Sequence, residues 1–325
     1  MNTSETFIHA GLPRTGTTTL QTHLFARHTQ VHYLGVFKGK LARERPPIDR
    51  SSRGLTLFRD SQVEALMNEL LFDGAANPDL ERAATAWQRI CEGSPRPRKV
   101  WSWEGLGIDI AEKREARAAN LARVVGPAKV LITLRHPVRL LESTYFQILR
   151  RNNNPDNNPG WKGTVWYQPI DEWLDGHWLG ELEPILDYAR TVDIFRRHFG
   201  AESVRVLLYE DLVRNPAAYV AEVCRLAGID VEEGVQRTAG KLENSTSERL
   251  VETVRRARGR PLGFLRTKLA VALELKGWWR GDPAGRAAPT LDQSRRQRVA
   301  ERTREGNRRL RDELGVDLAR YDYPM

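Results

Sequence analysis

Cysteine is scarce in this chain. Cys91 and Cys224 are the two present among 325 residues, far apart and without CxxC spacing. That excludes a disulfide framework and a thiolate zinc site, no metal is expected, and a reducing compartment follows. Long apolar runs are missing too: no stretch reaches the roughly 18 uncharged apolar residues of a membrane span. The N-terminal run Phe7 to Leu12 stops at Pro13 and Arg14, with no basic segment before it, so it does not read as a secretory signal. The expectation is a cytoplasmic protein that does not cross a bilayer. No internal repeat is visible.

What remains suits one large domain over residues 1–325. Hydrophobic residues make up 40% of the chain, enough to bury a substantial core. Lys and Arg outnumber Asp and Glu to give a formal charge of +9, which favours an anionic partner. Charge alone does not choose among a polyanion, an anionic membrane and a phosphorylated small molecule.

Short β-branched runs read as buried strands: Thr6 to Ala10, Val31 to Leu34, Val100 to Trp103, Val130 to Leu134 and Val204 to Tyr209. Amphipathic helical patterns follow most of them. The alternation predicts an α/β fold, a mostly parallel central sheet flanked by helices, with ligands at the carboxyl ends of the strands. Arg43 to Arg53 and Arg151 to Gly163 are rich in turn-forming residues and read as loops. Trp161, Trp166 and Tyr167 lie in and after the second, either facing an acceptor or decorating a solvated excursion.

The first chemical signal is Gly11-Leu12-Pro13-Arg14-Thr15-Gly16-Thr17-Thr18-Thr19, between the first strand and a helix expected from Leu20. Gly11 and Gly16 allow a tight fold. Free amides and the hydroxyls of Thr15, Thr17, Thr18 and Thr19 then converge at a helix N-terminus, where phosphate is attracted. A nucleotide triphosphatase loop would carry Lys after its second glycine. Here Thr17 stands there, and the cation is Arg14 instead.

The second signal follows the strand Val130 to Leu134: Arg135-His136-Pro137, then a helix carrying Ser143. Proline suits a first helical turn. Ser143 lies about two turns into that helix, so Arg135 and Ser143 reach one ligand only if a neighbouring strand brings it between them.

With both motifs in order, the chain resembles the sulfotransferase superfamily. The resemblance implies a P-loop-like sulfotransferase fold and 3′-phosphoadenosine 5′-phosphosulfate as co-substrate. Arg14, Gly16, Thr17, Thr18 and Thr19 would hold the 5′-phosphosulfate, and Arg135 with Ser143 the 3′-phosphate. Val204 to Pro216 is similar to the family's late strand and turn, which makes Tyr209 a neighbour of the adenine, and Asn307 to Pro324 is similar to the ending of bacterial members. Arg14 and Thr19 stand where small-molecule cytosolic members have lysine and an aromatic, a pattern closer to the carbohydrate and tyrosyl-protein branches. The implied acceptor is a hydroxyl of a glycan, a glycolipid or another small molecule.

Sulfuryl transfer asks for charge stabilisation at the leaving phosphate and for a base at the acceptor. Arg14 serves the first. Glu104, just after the strand Lys99 to Trp103, is the candidate base, since walls of Trp101 and Trp103 would raise its pKa by desolvation; capping a helix or pairing with an arginine is its structural alternative. His9, His28, His32 and His136 read as structural, His136 as a helix cap. Ser102 is expected to orient the acceptor or bond to backbone. Asn244 to Glu248 has the order of a helix cap.

Residues 262–297 form a candidate helical insertion. Within 260–280, leucines mix with Arg266, Lys268 and Lys276 and end in Trp278-Trp279, a composition that fits either packing on the domain or peripheral contact with the inner membrane face. Two other functions remain in view: a magnesium-ATP kinase of small molecules, and a nucleic-acid binder using the Arg-rich segments 249–260 and 295–312. No nucleic-acid module is recognisable, so no nucleic-acid partner is expected.

Overall fold

The structure, a computed structural model, describes residues 6–35, 47–50, 56–58, 66, 70, 78–154, 164–241, 248–275 and 290–325. Its centre is a five-stranded sheet of β1 (Thr6–His9), β2 (Val31–Gly35), β5 (Arg98–Ser102), β6 (Ala128–Leu134) and β7 (Val204–Leu208), in the order β2-β5-β1-β6-β7. Every neighbouring pair is parallel. β3 (Pro47–Arg50) and β4 (Thr56–Phe58) pair separately and antiparallel, so part of the segment Arg43 to Arg53 is strand where the composition suggested only loop.

The five main strands are apolar because both faces are covered. Alternate residues of β1 divide between two cores. Ile8 joins Trp101, Val130 and Ile132 in the larger one, and Phe7 joins Val100, Leu131, Leu20 and Phe25 in the smaller. The covering helices are α1 (Thr17–Thr19, running on as a π turn through Leu20–Phe25), α2 (Leu80–Gly93), α3 (Ala111–Val125), α4 (Pro137–Asn152), α5 (Ile170–His177), α6 (Tyr188–Phe199), α7 (Tyr209–Arg214), α8 (Pro216–Ala227), α9 (Val231–Thr238), α10 (Glu248–Ala257), α11 (Gly263–Leu275) and α12 (Gln293–Leu314). The first helix thus begins at Thr17, earlier than the apolar spacing from Leu20 suggested.

Strand order decides where the site lies. β1 is central: the chain leaves it towards β2 and β5 on one side, then crosses to β6 and β7 on the other. Such a reversal opens a crevice at the carboxyl ends of the strands. The ladder also runs past β1, since Ala10 N donates to Leu131 O at 2.9 Å and Leu12 N to Thr133 O at 3.2 Å. The turn that follows is therefore anchored to β6 from its first residues.

Candidate active site

Four adjacent strands end at one place. β1 leads into Gly11–Thr19, β5 into Glu104, β6 into Arg135 and β7 into Tyr209. The turn after β1 has left-handed backbone at both Arg14 (φ 68°) and Gly16 (φ 80°). Glycine accepts this freely, whereas an arginine there is strained and must be held. The second motif holds it twice: Arg14 Nε donates to Ser143 Oγ at 2.8 Å, and Arg135 Nη1 donates to Arg14 O at 3.0 Å. The two motifs are thus one construction. Gly16 is also required by space, because a Cβ there would stand 2.4 Å from Leu212 Cδ2 and 3.3 Å from Tyr209 Cδ2.

The surroundings of Arg14 are cationic. Burial, followed by the charges of Arg150 and Arg135, lowers its pKa to about 10, against the opposing pull of Glu104. It remains a cation at neutral pH. Arg150 lies seven residues beyond Ser143, on the same face of α4. The Arg135 guanidinium lies 4.4 Å above the Tyr209 ring, and its carbonyl accepts from Tyr188 Oη at 2.8 Å. Tyr209 thus lies beneath Arg135 and walls Gly16.

The threonines divide by direction. Thr17 Oγ1 donates to Glu104 Oε1, tying the candidate base to the turn. Thr18 is half-buried at the surface of the turn and Thr19 is buried. Thr15 does not present its hydroxyl to a ligand: it donates to Leu12 O at 2.6 Å and meets Thr133 Oγ1 at 2.6 Å. Trp101 and Trp103 sit in the larger core, Trp103 with its ring against Gly105 and 5.9 Å from the Arg117 guanidinium. The Glu104 carboxylate turns instead toward Thr17.

Behind the turn runs a buried polar chain that the sequence did not disclose. His9 Nδ1 lies 2.8 Å from Ser102 Oγ, and His9 Nε2 lies 3.4 Å from Thr133 Oγ1. Gln21 Nε2 donates to Ser102 Oγ at 3.2 Å. Because Thr15 gives its proton to Leu12 O, one proton order satisfies the chain. Thr133 donates to Thr15, His9 Nε2–H donates to Thr133, and Ser102 donates to His9 Nδ1. That order needs a neutral His9, and burial lowers its pKa to about 4, with Glu104 opposing. Ser102 is therefore a hub of this network; it neither faces an acceptor nor bonds to backbone as expected. Gly11 keeps the network compact, since a Cβ there would meet Thr133 Oγ1 at 2.4 Å and His9 Nε2 at 2.5 Å.

The chain's end braces the second motif. His136 N donates to Glu210 Oε1 at 2.9 Å, and Tyr323 Oη to Glu210 Oε2 at 3.1 Å. His136 Nε2 lies 3.0 Å from Asp322 O, so its side chain binds the tail and does not cap α4. Asn307 Nδ2 donates to Pro324 O at 2.8 Å. His28 and His32 bond to Asp230 O and Ser94 Oγ, away from the turn. Trp166 is tied at its backbone to the Asn153 side chain, while Trp161 and the segment Asn244 to Ser247 lie outside the described residues.

A family model described as "Sulfotransferase family" matches residues 7–233, which take in β1, both motifs and Tyr209. The chain belongs to the sulfotransferase family. Solved structures similar to it include a sulfotransferase from Alicyclobacillus acidocaldarius, 18% identical over 86% of this chain and 100% of that one, with a TM-score of 0.42. The sulfotransferase domain of the Synechococcus PCC 7002 olefin synthase is 19% identical over 91% and 92%, with a TM-score of 0.42. A mouse sulfotransferase complexed with PAP is 14% identical over 73% and 65%, with a TM-score of 0.39. No curated protein matches the sequence. Among the described residues no cluster of metal-ligating side chains is found.

Proposed function

We propose that this enzyme moves a sulfuryl group from 3′-phosphoadenosine 5′-phosphosulfate to a hydroxyl of a glycan, a glycolipid or a similar small acceptor, in a reducing, cytoplasmic setting. The observation that carries the reading is the double tether of Arg14. Its side chain is fixed by Ser143 and its carbonyl by Arg135, with the charge of Arg150 close by. Arg14, Arg135 and Arg150 leave positive charge at a tight turn that Glu104 offsets only in part, and a bound anion would relieve the rest. A donor with a phosphosulfate at one end and a 3′-phosphate at the other supplies two anionic groups. Backbone amides of the turn and Thr18 would hold the first, together with Arg14; Arg135 and Ser143 would hold the second.

In this reading the acceptor oxygen attacks sulfur while the bond from sulfur to the bridging phosphate oxygen breaks. Arg14 stabilises the charge that grows on that oxygen, and Glu104 takes the acceptor proton. The Thr17 to Glu104 hydrogen bond supports the pairing of these roles, because it sets the base against the turn that would carry the leaving group. Arginine in place of lysine, and Thr19 in place of an aromatic, resemble the carbohydrate and tyrosyl-protein branches more than the small-molecule cytosolic one. Both free cysteines fit a reducing compartment.

Calorimetric titration of the protein with 3′-phosphoadenosine 5′-phosphate, in parallel with ATP, tests the donor. Binding that needs the 3′-phosphate and weakens sharply in Arg135→Ala is expected. A magnesium-dependent preference for ATP would turn the assignment to a kinase.

A further inference from the structure

α11 packs with its small residues inward and its leucines outward. Gly263, Thr267, Ala270 and Val271 are buried on the side of α10. The approach is close, since a Cβ on Gly263 would stand 2.1 Å from Ala257 O. On the other side Leu265 and Leu269, one helical turn apart, are 50% and 61% exposed, and Leu262, in the left-handed turn just before the helix, is 64% exposed. An isolated exposed leucine is ordinary, but a row of them on one face marks a contact surface.

The rim of this surface is basic. Arg258 and Arg260 in the preceding turn, and Arg266 and Lys268 on the helix, are exposed, and none has a carboxylate partner among the described residues. Glu252 is already engaged by Arg255 and Arg256. An apolar surface edged by exposed cations matches the surface of an anionic bilayer, whose acyl boundary takes the leucines and whose headgroups take the arginines. A protein partner would need acidic groups interleaved with apolar ones at the same spacing, and no segment among the described residues is seated on this face.

We propose that the α10–α11 hairpin docks the enzyme on anionic membranes with α11 lying in the plane of the headgroups. α10 packs against α4 as well as α11. The charges of Arg255 and Arg258 reach Tyr167, close to the Trp166 backbone that Asn153 holds at the end of α4. That is the end of α4 that carries Arg150. The docking does not depend on the acceptor reading above.

The test is flotation of the full-length chain with vesicles of phosphatidylcholine alone and of phosphatidylcholine with phosphatidylserine, at low and at physiological salt. Donor binding is measured by calorimetry on the same samples. Binding is expected only with phosphatidylserine, and it should fall as salt rises. Each cation near the surface contributes about five-fold, so Arg258→Gln with Arg260→Gln should weaken binding about 25-fold. Leu265→Gln with Leu269→Gln, both at exposed positions, should abolish it while donor binding is unchanged. Absence of binding at low salt overturns the proposal. Full binding by the leucine variant would do so too, by assigning attraction to net charge alone, as would a concentration-dependent dimer that needs the same leucines. Vesicle binding and donor binding are read separately, so failure of one leaves the other standing.

Discussion

His9 gives the sharpest prediction, because one number and one geometry bear on it. It is fully buried between Ser102 and Thr133, in a chain of hydrogen bonds whose proton order needs Nδ1 as an acceptor. Protonation puts a charge in the core and a second donor against Ser102, which is itself giving a proton. Its pKa is about 4 when folded. The unfolded chain therefore takes up the proton first. Stability is complete above the unfolded value and falls as pH drops toward the folded one. With an unfolded value of ~6.5, the loss from His9 is about 2 kcal/mol between neutral pH and about pH 5, and about 3 kcal/mol by about pH 4. Urea unfolding of the wild type and of His9→Gln, each at neutral pH and near pH 5, isolates the contribution. Other carboxylates and histidines titrate in both proteins and cancel in the difference. The variant should be less stable at neutral pH yet lose about 2 kcal/mol less on acidification. Parallel losses in the two proteins would refute both the neutral tautomer and the proton order built on it.

Arg14→Ala should lower turnover by ~100-fold or more, the usual effect of removing a donor that acts on transition-state charge. Arg14→Lys, which keeps a charge but not the Nε contact with Ser143, should recover part of that loss in steady-state sulfuryl transfer. Glu104→Gln should leave calorimetric donor binding intact and abolish transfer in single-turnover assays; retained transfer would remove Glu104 as the base.

What the sequence showed clearly was where strands end. Gly11 to Thr19, Glu104, Arg135 and Tyr209 each follow a β-branched run, and parallel topology alone brings such positions to one edge. The directions of side chains within turns were not legible. Thr15 and Thr18 belong to the same run of hydroxyls, yet the left-handed backbone at Arg14 and Gly16 sends the first into the core and leaves the other at the surface. Ser102 and Thr133 likewise carry no local sign of their roles, because their partner His9 is 93 and 124 residues away in sequence. Glu210 meets Tyr323 across 113 residues, which only a folded chain can reveal.

α11 shows the same limit from the opposite side. Its apolar and basic residues fitted two readings, packing on the domain or contact with a membrane face. A single close approach shows which residues face inward. With Gly263 pressed against Ala257 O, the inner face has room for Thr267, Ala270 and Val271 but not for larger side chains, and the leucines are turned outward. Periodicity identifies that a helix has faces; which face is the inner one depends on the distance of closest approach, and here that distance is set by a glycine at the first position of the helix.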